Sequence, residues 1–225
     1  MAHARGPGAS VPSPAMKMLL GAFLLLAAVP ASAREGVQLG VRFVPQSTSL
    51  LYDTGYPLLD FLKVAPHDTR LRTAQGLGVL YHPWEHWSLG ADLLYSRKGG
   101  GFASRQVDLD YLEVPLWLGF NTSSSNRLMF NVQAGLEVGY AVRRQLRSTG
   151  GTSTDLSDSV DRVAWGVPVA VGVRCRLFAA YSVNAQLFVS AGLGSLVRTN
   201  PTLGVRNYVF PGLRLSVDRE LGVRR

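Results

Sequence analysis

From Leu112 to Phe120 every even position is a large apolar residue: Leu112, Val114, Leu116, Leu118 and Phe120. The odd positions hold Glu113, Pro115, Trp117 and Gly119, with Tyr111 just before them. Successive side chains of a strand point to opposite faces, so this stretch has one greasy face and one mixed face. Two architectures satisfy that pattern. A soluble sandwich or barrel buries the greasy face in a dry core, whereas a transmembrane barrel turns it to lipid and points the mixed face into the lumen.

The same period recurs along the chain. Val37 to Phe43, Leu77 to Tyr81 and Trp87 to Tyr95 alternate in this way before the stretch above, which is the fourth. Leu128 to Val142 is the longest run, with Met129, Asn131, Gln133, Gly135, Glu137 and Gly139 on its mixed face. Val163 to Val173 alternates with Ala164, Gly166, Pro168, Ala170, Gly172 and Arg174; segments at Val183 to Leu193 and Val205 to Val217 complete the set. Eight segments, most of them near the length that crosses a bilayer at a tilt, predict an all-β, eight-stranded antiparallel up-and-down transmembrane β-barrel.

The links carry independent information. About thirty residues at 45–72 separate the first two segments, and short turns at Pro83 to His86, Asn121 to Asn126 and Arg176 to Ala180 alternate with a Gly-rich loop at Gly99 to Phe102 and a longer loop from Ser148 to Asp161. Short turns on one side and longer loops on the other are what a membrane barrel with both termini in the periplasm requires. Tyr81, Trp84 and Trp87 gather at one short turn, as an interfacial aromatic belt would. Pro115 removes one ladder hydrogen bond and predicts a local bulge.

With the greasy faces on lipid, the lumen receives the charges Arg42, Asp92, Glu113, Glu137, Arg206 and Arg214, together with Asn131, Gln133, Asn184, Gln186 and Tyr208. An eight-stranded barrel is only wide enough to be filled by side chains. Buried charges there must pair, so the expectation is a structural, salt-bridged polar plug and no permanent pore.

Residues 1–33 read as a signal peptide, leaving 34–225 as the barrel domain. Lys17 supplies a basic start, Leu19 to Val29 an apolar run too short to span a bilayer comfortably, and Ala31-Ser32-Ala33 a small-x-small cleavage site before Arg34. The Gly/Pro/Ser-rich residues ahead of it leave Met16 or Met18 as alternative starts. Cleavage removes Arg5 and Lys17 and lowers the net charge from +8 to +6. The remaining basic residues are scattered rather than clustered, which argues against a nucleic-acid partner. The single cysteine, Cys175, excludes an intramolecular disulfide and reads as a packed or lipid-facing thiol.

The segment Asp110-Tyr111-Leu112-Glu113-Val114-Pro115-Leu116 closely resembles the Tyr-Leu-Glu-[Ile/Val]-Pro-Leu strand of PorT-like outer-membrane β-barrel proteins of Bacteroidetes-type bacteria. Leu93 to Gly100, Gly76 to Val79 and Gln133 to Tyr140 are similar to other parts of that family. The resemblance implies an integral barrel in the bacterial outer membrane, with outer-membrane lipid and an envelope or secretion-machinery protein as partners. It departs from the family in its long first link and in ending Leu221-Gly222-Val223-Arg224-Arg225 without a terminal aromatic.

Barrel enzymes need a nucleophile with a base, or paired carboxylates, at one rim. His67 and Asp68 with Asp108 and Asp110 could form an acid-base cluster, although solvated loop residues are the plainer reading. His82 and His86 flank a turn at the opposite end, without further ligands for a metal. The sequence predicts no catalytic residue, no cofactor and no metal. A non-enzymatic outer-membrane barrel that presents loops or docks envelope partners is therefore expected. A small barrel enzyme acting on lipid or peptide, and a soluble lipocalin-like ligand carrier, stand as alternatives.

Overall fold

In a computed structural model, residues 36–52, 69–102, 105–122, 127–148, 151–178, 180–196 and 205–221 are described. The signal-peptide segment with Ala33 and Arg34, the residues His67 and Asp68, and the C-terminal Gly222 to Arg225 lie outside them. The strands are β1 (Val37–Tyr52), β2 (Arg70–Tyr81), β3 (Trp87–Phe102), β4 (Arg105–Asn121), β5 (Leu128–Ser148), β6 (Ser153–Asp155), β7 (Val163–Phe178), β8 (Tyr181–Gly192) and β9 (Val205–Leu221).

Eight long strands form a closed antiparallel barrel. Each pairs with the next, β5 pairs with β7, and β9 returns to β1 from Val37↔Leu221 to Tyr52↔Val205. The three-residue β6 only extends the outer end of β5, at Gln145↔Asp155 to Arg147↔Ser153. Closure pairs the wall's backbone groups between strands, the condition for crossing hydrocarbon without an exposed edge.

The faces are arranged as the alternation requires. Leu116 is 54 % exposed and the adjacent Trp117 4 %. Leu112, Val114, Leu118 and Phe120 are exposed with Leu116, whereas Glu113 is buried. The wall is thus apolar outside and polar inside, the reverse of a lipocalin-like carrier, which would bury its greasy faces. Tyr81, Trp84, Trp87 and Phe120 are exposed at the short-turn end, and Tyr95 and Tyr140 lie with Leu112 in one hydrogen-bonded row farther out. Trp87 and Tyr95 are eight residues apart on β3, about 26 Å along the strand at 3.3 Å per residue. Allowing for tilt, that is close to the apolar band of an outer-membrane barrel.

Several expected boundaries need correction. The chain from Pro45 to Tyr52 and from Arg70 to Arg72 belongs to β1 and β2, so the first link is shorter than the 45–72 expectation. Gly99 to Phe102 is not a loop but the outer end of β3, paired with Arg105 to Asp108. Glycine composition signals a turn, yet here Gly99 adopts φ +137 within the strand, and a Cβ on it would overlap the Val107 carbonyl. The longer link after Ser148 contains β6. Pro115 produces no bulge: the β3–β4 register is the same on both sides, and only the pairs opposite Asp92 and Leu93 are missing. Its missing N–H interrupts the ladder to β3 while the ladder to β5 continues through Pro115↔Glu137. The bulge of β4–β5 lies instead between Asp110 and Tyr111.

Candidate functional site: the charged barrel interior

Arg42 on β1 is 2 % exposed and stands at the centre of the lumen. Its Nε donates to Asp92 Oδ1 of β3 at 2.9 Å, and its Nη1 pairs with Asp218 of β9. Asp92 Oδ2 accepts from Arg214 Nη2 at 2.6 Å and from Trp117 Nε1 at 2.9 Å. The Arg214 guanidinium also lies 4.7 Å from the centre of the Trp117 ring. One carboxylate therefore ties strands β1, β3, β4 and β9 together across the barrel.

Glycines on the mixed face make this possible. A Cβ at Gly40 would overlap Asp218, and one at Gly78 would overlap Asp92, each also crowding the Arg42 guanidinium. On the β5–β8 side, Arg214 Nη1 donates to Gln133 Oε1 at 2.7 Å and to Gln186 Oε1 at 2.6 Å. Gln186 donates onward to Asn131, and Asn131 to Asn184 at 3.0 Å. Amides that both donate and accept carry the network between charged groups without adding charge.

Farther out, Lys98 Nζ sits between Glu113 Oε1 at 2.5 Å and Glu137 Oε1 at 2.6 Å. The lining of a small cavity beside it includes Tyr111, Gly166, Ser190 and Asn207. Above this level the lumen becomes apolar. Leu50, Leu109, Tyr111, Ala141, Val160 and Leu196 form one buried cluster there, which includes residues from two links. Arg144 Nη1 holds the link between β6 and β7 by donating to the carbonyls of Ser157 and Val160, and Asp161 N donates to Leu196 O of the link after β8.

At the opposite mouth, Arg174 is 2 % exposed and its Nη1 meets His82 Nε2 at 3.0 Å. Burial, and then the Arg174 charge, hold the His82 imidazole down at about 4. Inward of the level of Arg144, whose charge is met by carbonyls, the buried cations Arg42, Lys98, Arg174 and Arg214 face the buried carboxylates Asp92, Glu113, Glu137 and Asp218. This balance offsets the large cost of taking ions out of water.

Of the six luminal charges read from the sequence, Arg42, Asp92 and Arg214 come together, and Glu113 and Glu137 form a second group. Arg206 lies apart from the first group. It is half-buried toward the outer end of β9, eight residues from Arg214, roughly 25 Å along a strand. Sequence reasoning missed Lys98, Arg174 and Asp218 as members. Lys98 and Asp218 continue the inward parity of Asp92-Leu94-Ser96 and of Arg214-Ser216, and Arg174 lies on a mixed face already identified. Extending each period to the strand's true end would have found them. The Glu113 partner is Lys98, one of the members missed.

The candidate acid-base groups are engaged elsewhere. Asp108 pairs with Arg72 and with Arg147 at 3.1 Å, and Asp110 accepts from Tyr95 Oη at 2.8 Å. His86 Nδ1 lies 3.1 Å from Asn121 O and its ring stacks on Phe120, so His82 and His86 do not converge. Cys175 is half-buried on the outward parity of β7.

A closed barrel with apolar skin, two aromatic levels and a charged interior is an integral membrane β-barrel, and such barrels belong to the bacterial outer membrane. The family model for the outer membrane protein beta-barrel domain matches residues 54–198, and the chain belongs to that family. Among solved structures it is similar to Neisserial surface protein A, at 12 % identity and TM-score 0.51, over 82 % of this chain and 97 % of that one. It is also similar to Ail of Yersinia pestis (15 %, TM-score 0.45, 83 % and 99 %) and to OprG from Pseudomonas aeruginosa (11 %, TM-score 0.46, 87 % and 100 %). No curated protein matches the chain. At these identities only the first supports the barrel fold, and none speaks to a task.

Proposed function

We propose that this protein is a non-enzymatic outer-membrane barrel with a plugged lumen, which presents its outer links or docks an envelope partner. The observation that carries the reading is the filled interior: the Arg42–Asp92–Arg214 network is backed by amides, and the apolar cluster around Leu109 and Val160 lies above it. A passage for solute would have to break several charge-assisted hydrogen bonds at once. The outward engagement of Asp108 and Asp110 in ion pairs and hydrogen bonds favours a structural over a catalytic role for them.

We infer further that the chain falls among the PorT-like barrels, on the strength of Tyr111-Leu112-Glu113-Val114-Pro115-Leu116, and that it is exported by cleavage between Ala33 and Arg34. Founding members of that group are associated with secretion and gliding machinery, which makes an envelope protein the expected partner. A photo-crosslinking residue placed within 53–69 in living cells tests this. Capture of a defined envelope protein is the expected result. Loss of a lipid or protein modification in correctly folded Asp110→Asn or His67→Ala variants would instead establish a barrel enzyme.

A further inference from the structure

We propose that the outer wall of β3–β5 carries a binding strip for the phosphate groups of outer-leaflet glycolipid, built on Arg97 and Arg143. Arg97, Asp110 and Arg143 are paired across three adjacent strands, and all three take the outward parity. Arg97 and Arg143 are both exposed, on strands two spacings apart, about 10 Å. The β-bulge between Asp110 and Tyr111 sets this row: it turns both Val142 and Arg143 outward on β5.

Position selects the occupant. The row Tyr95–Leu112–Tyr140, at the outer aromatic level, lies two residues inward, about 7 Å along a strand. The head-group layer beyond the hydrocarbon is about 5 to 8 Å thick on each side, so the two guanidinium groups stand within it. The short-turn end faces the periplasm, so this layer is the outer leaflet, whose lipids carry phosphate. Guanidinium suits phosphate because it offers paired donors in a fixed fork.

The strip is also fixed in place. Asp110 accepts from Tyr95 Oη at 2.8 Å and lies 4.0 Å from Arg143 Nη1, while the Arg97 guanidinium carbon is 5.9 Å from the Tyr95 ring centre. Beyond it, Arg147 and Arg72 share the single carboxylate of Asp108. Arg72 meets it from β2, across the stretch of β3 where Gly99, Gly100 and Gly101 carry no side chains. Four arginines stand with Asp108, Asp110 and, across Gln145 in the Asp108 row, the exposed Asp155, so the strip keeps a small positive excess for an anionic ligand. Following the wall onward past Tyr140 gives Val163, Trp165 and Leu193, all exposed and apolar. The inference rests on outer-membrane location and orientation, not on a docking partner or on the plugged lumen.

The test uses the full folded barrel in neutral detergent, with bisphosphorylated lipid A, dephosphorylated lipid A and inorganic phosphate as probes, and retention read by native mass spectrometry. The Arg97→Gln/Arg143→Gln variant is expected to weaken retention of bisphosphorylated lipid A by roughly tenfold or more, the effect of at least one charge-assisted hydrogen bond. Dephosphorylated lipid A should bind wild type and variant alike, and phosphate alone should compete poorly. Arg127→Gln, an exposed position at the opposite rim, should change nothing. Equal retention by wild type and the double variant, an equal loss with Arg127→Gln, or full competition by inorganic phosphate would each overturn the proposal. A photo-crosslink to an envelope protein would not bear on it.

Discussion

Arg42 Nε and Asp92 Oδ1, fifty residues apart in the chain and 2.9 Å apart in space, form the contact around which the interior is ordered. Both side chains are almost wholly shielded from water. Removing Asp92 leaves Arg42 with Asp218 alone and Arg214 with neutral amides and the Trp117 ring. Asp92→Asn is therefore expected to destabilise the folded barrel by about 3 to 5 kcal/mol, the range for breaking one side of a buried ion pair. Urea unfolding in micelles, followed by loss of heat-modifiable mobility, measures it. A change below about 1 kcal/mol would mean that water reaches this site.

Lys98 makes a different prediction because one ammonium serves two carboxylates. Glu113→Gln leaves a matched Lys98–Glu137 pair and should cost little, roughly 1 kcal/mol, since the amide can still accept. Lys98→Met leaves two buried carboxylates facing each other and should cost several times more. The same unfolding assay ranks the two variants. The reverse order would show that Lys98 is held by something other than these glutamates.

At the short-turn mouth the sign of a pH effect follows from His82. Its folded imidazole titrates at about 4, below the ordinary value near 6.5. The folded state thus binds fewer protons than the unfolded one between these values. The contribution is complete above about pH 6.5 and is lost progressively as the pH falls toward 4. Wild type should therefore lose more stability between pH 7.5 and 4.5 than His82→Gln, which keeps an acceptor for Arg174. Parallel curves for the two proteins would contradict the assignment.

How much of this was legible in the sequence depends on which physical rule decides each feature. The alternation at Leu112 to Phe120 determines the facing of every residue in β4, because the strand period is two and no tertiary contact can change it. The inward set Arg42, Asp92 and Arg214 follows from the same rule. Strand ends obey no such rule. Gly99 to Gly101 have turn composition, yet β4 and β5 extend past the membrane and β3 pairs along them, which hid Lys98. The apolar cluster around Val160 and Leu196 was invisible for a further reason: it joins two links whose path depends on contacts distant in sequence, such as Arg144 to the Val160 carbonyl and Asp161 N to Leu196 O. Pro115 illustrates the remaining gap. A proline must lose a hydrogen bond, but whether the strand bulges or tolerates the loss depends on its two neighbours.

The central claim, that side chains fill this barrel and leave no standing passage, is most directly tested by planar-bilayer recording. The protein should be purified in folded form and its insertion established by protease protection. Wild type should give no steady conductance at moderate voltage in either orientation. A large, stable conductance from the folded wild-type barrel would contradict the account.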